Sequence, residues 1–243
     1  MKHWHTKKSS TIIQILRHRS NAWLILQQDV CILIDTGQAS ARKKLLNNLQ
    51  NVLPNPLKID FLVLTHTHYD HCQNAQFLKN MTGCKIIGSI YESKSANDGY
   101  TRIPRGTNLA TKALTCLGRR LGKVFFGHES FKMDIMVQKE LDMNVYGIDA
   151  KIIACPGHSE GSISLIIDDE FVIVGDTLFG IFKNTIFPPF ADDVLLLFQS
   201  WNKLLDTPCN TFLPGHGKAI TRERLVEAVR LRKYKHQNEQ TFS

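Results

Sequence analysis

His66-Thr67-His68-Tyr69-Asp70-His71 places three histidines and an aspartate within six residues. The stretch follows Phe61-Leu62-Val63-Leu64, an apolar run with the length of a buried strand. A strand that ends in such a loop delivers imidazoles and a carboxylate to one point at a sheet edge. Those groups are the usual ligands of zinc and its divalent neighbours. Four donors in six residues are too many for one tetrahedral ion, because adjacent side chains diverge. The spacing therefore points to two metals, with alternate residues aimed at each.

Three more donors recur in the same context. His158 stands in Cys155-Pro156-Gly157-His158, after Ile152-Ile153-Ala154. Asp176 follows Phe171-Val172-Ile173-Val174-Gly175, and His216 follows Thr211-Phe212-Leu213-Pro214-Gly215. Each follows a short apolar segment, with Gly or Pro marking the turn. Several strands ending at one edge of a sheet, with loops there building a site, would give this pattern.

A chain of 243 residues suits one large domain or two small ones, and 43% apolar residues suffice for a core. No stretch approaches the roughly 20 apolar residues of a membrane span. The basic start Met1-Lys2-His3-Trp4-His5-Thr6-Lys7-Lys8 is not followed by the apolar region of a signal peptide, so a cytoplasmic location is the default expectation. Cys31, Cys72, Cys84, Cys116, Cys155 and Cys209 contain no C-x-x-C pair and read as free thiols in a reducing compartment. Cys72 and Cys155 lie beside proposed ligands, but the histidine and aspartate set is complete without them. The net charge of +8 is unevenly spread. Arg102, Arg105, Lys112, Arg119, Arg120 and Lys123 occur with no acidic residue between Tyr100 and Lys123. A second basic stretch runs from Lys218 to Lys235. Either is a solvated face or an attraction for an anionic substrate or nucleic acid.

Thr11 to Leu16, Ala22 to Gln27 and Val30 to Ile34 read as a β-meander. A helix is expected over Ala39 to Leu53, stopping before Pro54. Asp60 to Thr65 is the strand that enters the motif, Asn74 to Met81 a helix and Lys85 to Gly88 a strand. Residues 89–130 are polar, basic and partly helical, and read as an insertion within a single domain, placed to form a lid. Strand signals return near Ile135-Met136-Val137, Asn144-Val145-Tyr146, Lys151 to Ala154, Ile163 to Ile167 and Phe171 to Val174. Asp192 to Leu205 and Thr221 to Tyr234 read as amphipathic helices. His3, His5, His18, His128 and His236 lie outside the donor pattern and read as ordinary histidines, the first two in a mobile terminus. Two αβ halves of this kind pack as two sheets face to face with helices outside.

Asp35 in Ile34-Asp35-Thr36-Gly37, the His66 to His71 motif, His158, Asp176 and His216 together resemble the metallo-β-lactamase superfamily of binuclear metallohydrolases. They occur in that family's order over roughly residues 12 to 220. The resemblance implies an α/β, four-layer αββα sandwich. It assigns His66, His68 and His158 to one metal, Asp70, His71 and His216 to the other, and Asp176 to both. Asp35 becomes a residue that orients loops, and Asp70 also a proton shuttle. Thr36, Thr65 and Thr177 are candidates for hydrogen bonds that fix the imidazoles. Two ions about 3.5–4 Å apart share a water and lower its pKa from 15.7 to about 7, giving hydroxide at neutral pH.

Two departures bear on the substrate. Many relatives carry glycines soon after the last histidine of the motif, where this chain has Cys72-Gln73-Asn74-Ala75. Metallo-β-lactamases proper lack the bridging aspartate, and Asp176-Thr177-Leu178-Phe179 is closer to glyoxalase II-like thioesterases, although the helical region that holds glutathione in those enzymes is not evident. The expectation is a hydrolase of a small ester, thioester or lactone, its substrate a small and conceivably anionic molecule. It would use two divalent ions, Zn2+ first, with Fe or Mn as substitutes. A phosphodiesterase or nuclease of the same fold is the alternative. A non-hydrolytic metal-binding protein or a mononuclear iron oxygenase ranks behind both. No membrane partner is expected, and oligomeric state is left open.

Overall fold

The computed structural model describes residues 1–55 and 57–241, with side chains as far as Arg232. The readings placed on the Lys233, Tyr234, Lys235 and His236 side chains lie outside the described residues. Seven strands form the first sheet: β1 (His3–His5), β2 (Thr11–Arg17), β3 (Asn21–Gln27), β4 (Val30–Ile34), β5 (Phe61–Val63), β6 (Lys85–Ser89) and β7 (Ile135–Val137). Six form the second: β8 (Glu140–Asp142), β9 (Ala150–Ala154), β10 (Ile163–Ile167), β11 (Phe171–Gly175), β12 (Thr211–Pro214) and β13 (Ile220–Thr221). In both sheets strands adjacent in sequence are adjacent in space. Pairing is antiparallel except from β4 to β7 and between β11 and β12. The helices are α1 (Arg42–Val52), α2 (Tyr69–Cys72), α3 (Ala75–Thr82), α4 (Ser93–Asp98), α5 (Leu109–Phe126), α6 (Val194–Leu205) and α7 (Arg222–Thr241).

The period-two alternation of side chains along a strand sorts the apolar residues into layers. Trp23, Ile25, Ile32 and Ile34 face the second sheet and meet Ile152, Leu165, Ile173 and Leu213. Their neighbours Leu24 and Leu33 face outward, onto Leu45 and Leu49 of α1 and Leu78 of α3. On the far side Ile153, Val172 and Phe212 pack against Leu197, Trp201 and Leu204 of α6 and Leu225 of α7. The result is the αββα sandwich. Leu197, Trp201 and Leu204 follow helical spacing, and Asp193 starts α6 by accepting from Leu195 N at 2.8 Å and Leu196 N at 2.9 Å. Each fully buried leucine here contributes about 1.5–3 kcal/mol.

Three differences from the sequence reading have physical causes. Asn144-Val145-Tyr146 is not a strand but part of a 3-10 turn, Met143–Tyr146. The Asp142 carboxylate starts it by accepting from Asn144 N at 2.9 Å, and Gly147 ends it at φ 80°. The terminal His3–His5 stretch is not loose. It pairs with β2, and the Trp4 ring lies 5.5 Å from that of Trp23. The segment from residue 89 to 130 divides in two. Ala96 belongs to the core and Glu92 is buried, while an isolated bridge between Tyr100 and Gly127 closes the base of an excursion that contains α5.

Candidate metal centre

All the donors sit just beyond the C-terminal ends of strands. The loop after β5 carries His66 and His68 and leads into α2, which carries Asp70 and His71. His158 follows β9, Asp176 follows β11 and His216 follows β12. Backbone bonds tie these ends together across the sandwich: Ile163 N donates to Thr65 O at 2.9 Å, and Asn21 N to Gly215 O at 2.7 Å. Glycine is needed where the loops converge. A Cβ on Gly215 would lie 2.4 Å from Asp176 Oδ1 and 2.6 Å from His71 Cε1. Gly175, at φ 51°, brings its backbone against Thr65.

The seven side chains meet in three overlapping groups: His66, His68 and His158; His66, His71 and Asp176; Asp70, His71 and His216. Within each group the ligand atoms lie within 4.8 Å of one another. Asp176 faces both sides. Its Oδ1 is 3.4 Å from His71 Nε2, and its Oδ2 is 3.6 Å from His158 Nε2 and 3.3 Å from His216 Nε2.

Hydrogen-bond chemistry decides what the rings present to the centre. His158 Nδ1 lies 2.9 Å from Phe190 O, and His216 Nδ1 lies 2.7 Å from Arg19 O. A carbonyl only accepts, so both Nδ1 atoms carry a proton and both rings turn Nε2 inward. His71 Nδ1 lies 2.8 Å from Asp35 Oδ2 and is oriented the same way. His158 Nε2 is then 3.0 Å from His68 Nδ1, and His216 Nε2 is 3.3 Å from His71 Nε2. His66 Nε2 is buried and, among the described residues, has no hydrogen-bond partner. Nitrogen lone pairs this close repel unless a cation or a proton lies between them. The donor set thus fits divalent cations held by imidazole and carboxylate.

The electrostatics separate the two sides. Burial, with neighbouring histidines adding to it, pushes His66 well below the ordinary imidazole range. Burial also brings His68 and His158 to about 4, against the pull of nearby carboxylates. Burial works against charge on His71 too, but Asp176 and Asp35 outweigh it and raise the group to about 10. His216 is likewise raised, by Asp176 and Asp70 against burial. Asp176 is held well below the usual carboxylate range because His216 and His71 overcome its burial. A cation among these carboxylates supplies the positive charge that protons otherwise provide.

A second layer holds the donors. Asp35 accepts from Thr65 N at 2.9 Å and Thr65 Oγ1 at 2.8 Å while it grips His71. Thr65 Oγ1 is also 3.0 Å from His66 Nδ1. Thr36 Oγ1 donates to His71 O at 2.9 Å, so it acts on backbone, and Thr177 Oγ1 reaches only Cys155 O, at 3.5 Å. Gln73 staples two segments: its Oε1 accepts from Ala39 N at 2.8 Å and its Nε2 donates to Gly127 O at 2.7 Å. Sequence reasoning missed Glu92. Its buried carboxylate accepts from Thr67 Oγ1, between His66 and His68, and from Ser159 Oγ, next to His158. It also missed the carbonyls of Arg19 and Phe190, which no side-chain pattern could reveal. Cys72 and Cys155 are buried free thiols, both raised by burial, and neither joins a donor group.

A hollow of about 410 Å3 opens over the donors. His68, Asp70, His158, Asp176 and His216 form its floor. Ile103, Pro104, Leu114, Gly118 and Phe126 line it on the side of α5, and Phe179, Ile181 and Phe190 also contribute. Arg105, Lys112, Arg119 and Arg120 line a different hollow, so the basic stretch is not in the wall over the donors.

Residues 16–216 match the family model described as the metallo-beta-lactamase superfamily. The chain belongs to the metallo-beta-lactamase superfamily. Within it, a probable metallo-hydrolase of Methanocaldococcus jannaschii is 28% identical, over 83% of this chain and 89% of that protein. A hydroxyacylglutathione hydrolase of Brucella anthropi is 30% identical over 72% of this chain, which spans only 59% of that relative. Among solved structures, a metallo-beta-lactamase from Cronobacter sakazakii superposes with a TM-score of 0.67 at 15% identity, covering 99% of this chain and 97% of that one. A superfamily protein of Sulfolobus tokodaii gives 0.60 at 18% identity, covering 88% and 80%. At such identities the likeness is one of fold.

Proposed function

We propose that this metal-dependent hydrolase holds two divalent cations and cleaves a small ester, thioester or lactone. His66, His68 and His158 would hold one ion and Asp70, His71 and His216 the other, with Asp176 between them. The observation that carries this reading is two pairs of facing imidazole nitrogens, 3.0 Å and 3.3 Å apart, in which His158, His216 and His71 already have their outer nitrogens committed. Bound there, two divalent cations supply Lewis acidity and lower the pKa of water to about 7. The chain's own part is to aim the donors. The Phe190 and Arg19 carbonyls fix His158 and His216, and Asp35 fixes His71. Asp70 lines the hollow, with its Oδ2 3.5 Å from His216 Nε2 and 3.9 Å from Arg19 Nε, and from there delivers a proton to the leaving group.

Zinc suits the donor set best, with iron or manganese as substitutes. The whole chain acts as one catalytic domain, and the excursion that contains α5 serves as its lid. Six free cysteines suit a reducing compartment, and among the described residues no helix is long and apolar enough to cross a membrane. The apolar wall over the donors favours a carbon-rich substrate over the phosphodiester alternative, because among the described residues Arg19 is the one Lys or Arg that lines it. The test is metal analysis of the purified protein beside a screen of p-nitrophenyl esters, thioesters, lactones and bis-p-nitrophenyl phosphate. About two equivalents of metal with ester, thioester or lactone turnover is the expected result. One equivalent or none with full activity, or turnover of the phosphodiester alone, overturns the reading.

A further inference from the structure

The excursion between Tyr100 and Gly127 gives the hollow its apolar side. Thr101 Oγ1 donates to Thr67 O at 2.7 Å, so the excursion sets off directly over the His66 and His68 loop. Gly106 then pairs with Phe190, whose carbonyl holds His158. Thr115 Oγ1 donates to Pro104 O at 3.0 Å and Arg119 Nε to Ile103 O at 2.9 Å, which fastens α5 to the segment that leads into it. Little of this wall can recognise a polar group. Ile103, Pro104, Leu114 and Phe126 offer hydrocarbon, and the Thr101 hydroxyl is already engaged with Thr67. On the other side, Asp70 and His216 stand near Arg19, whose side chain is 60% exposed and lies over the Tyr69 ring. The hollow therefore has a hydrocarbon end under Ile103, Pro104 and Leu114, while Phe179 stacks on His216 and Phe126 reaches Tyr69 beside a charged edge at Asp70 and Arg19. Its volume, about 410 Å3, falls within the roughly 300–1,000 Å3 of small-molecule sites.

Gly118 stands at the closest point of that wall. It is buried, and a Cβ there would lie 2.6 Å from Ile103 Cδ1 and 3.6 Å from Phe126 Cε2. Helix interiors disfavour glycine by about 1 kcal/mol against alanine, so its presence mid-helix calls for a reason of space. Any side chain here would occupy the hollow or push Ile103 into it.

We propose that this hydrocarbon end is an acyl-chain subsite. The substrate is an ester, thioester or lactone whose acyl part carries a medium-length apolar chain under α5, and Gly118 sets the depth available to it. The inference rests on the proposed hydrolase reading and adds the substrate class. The orientation follows from Asp70. The group that receives its proton would leave beside Asp70 and Arg19, so the acyl part would lie under α5.

The experiment is a series of p-nitrophenyl esters from acetyl to dodecanoyl, kept below micelle-forming concentrations, on the metal-loaded protein and on Gly118→Leu. Leucine is a strong helix former, so α5 is kept. The expected wild-type profile rises about three- to fourfold in kcat/KM per added methylene, up to a plateau. In Gly118→Leu the decanoyl-to-acetyl ratio of kcat/KM falls at least about thirtyfold, the equivalent of three buried methylenes. Leu114→Trp, at a half-exposed position of the same wall, should shift the profile the same way and serves if Gly118→Leu folds poorly. A parallel acetate series with lengthening alcohols should stay flat. Calorimetry of the metal-free protein should show decanamide binding in the wild type and weaker binding in the variant. A flat acyl profile, or equal loss of acetyl and decanoyl turnover in the variants, overturns the subsite while leaving the hydrolase standing. A rise in the alcohol series alone overturns the orientation. If no ester, thioester or lactone of any length is cleaved, the hydrolase reading itself has failed.

Discussion

The donor rings are gripped from behind by partners at the strand ends, whereas α5 above them leaves most of its apolar side chains in water. His71, His158 and His216 each have a second nitrogen fixed by Asp35, Phe190 O or Arg19 O, and His66 leans on Thr65. All of these rings are buried. In α5, by contrast, Leu109 is 85% exposed and Val124 88%, and Gly122 breaks the helical path with φ 50° and ψ −141°. Chemistry that depends on sub-ångström placement sits where strand ends, caps and a buried carboxylate over-determine each ring. On the proposed reading, selectivity would sit on a helix fastened by a handful of bonds. Such a division lets the wall change without disturbing the reaction.

The comparison can be broken at the donors first. His68→Ala and Asp176→Ala should each lower kcat/KM by at least about a thousandfold, because several kcal/mol of charge stabilisation are lost. Metal content measured on the same samples should fall too. Full activity in either variant would remove the centre from the mechanism. Next comes the grip behind the rings. Asp35→Asn keeps the shape and tolerates the backbone φ of 56°, but it weakens the hold on His71 and Thr65. Metal affinity, read by competition with a chromogenic chelator, should fall about 10–100-fold. An unchanged affinity would mean that the ring needs no second hold.

Replacing residues 101–126 with a short Gly-Ser link between Tyr100 and Gly127 tests the other side. Two equivalents of metal should remain and the preference for acyl length should vanish, as KM rises more than kcat falls. Loss of metal would show that the excursion belongs to the core. The smallest effect is expected on the outer face. Leu117→Ser, at a position 58% exposed, should change the unfolding free energy from denaturant titration by no more than about 0.5 kcal/mol and leave turnover untouched.

The donors were legible because the chemistry concentrates in sequence. Four of the seven lie between His66 and His71, and the others stand directly after apolar runs whose alternation shows as strands. The layers were legible from the order of strands and helices, and the structure then sorts the faces of the continuous apolar runs. Ile12 and Ile13, or Leu24 and Ile25, split between two cores as period two requires. What holds the rings was only half legible. Asp35 stood out, but Arg19 and Phe190 act through carbonyls that every residue possesses, and Glu92 is a lone carboxylate with no neighbouring pattern. The short strand β8 escaped because three residues carry too little alternation. The resemblance, more than spacing alone, pointed to Asp176, whose carboxylate lies near His71, His158 and His216.

The strand order has a consequence for how the protein comes into being. Within each sheet every strand lies beside its neighbour in the sequence, so either sheet can grow in the order in which a ribosome releases it. The donors do not share that convenience. His66 and His216 are 150 positions apart (216 − 66), and at about 5–20 residues per second about 8–30 seconds pass between their syntheses. During that interval His66, His68, Asp70 and His71 have emerged while His158, Asp176 and His216 have not. A nascent chain can therefore offer only part of the set to a passing cation. On the proposed reading, stable loading would come only after β12 and β13 have joined the second sheet.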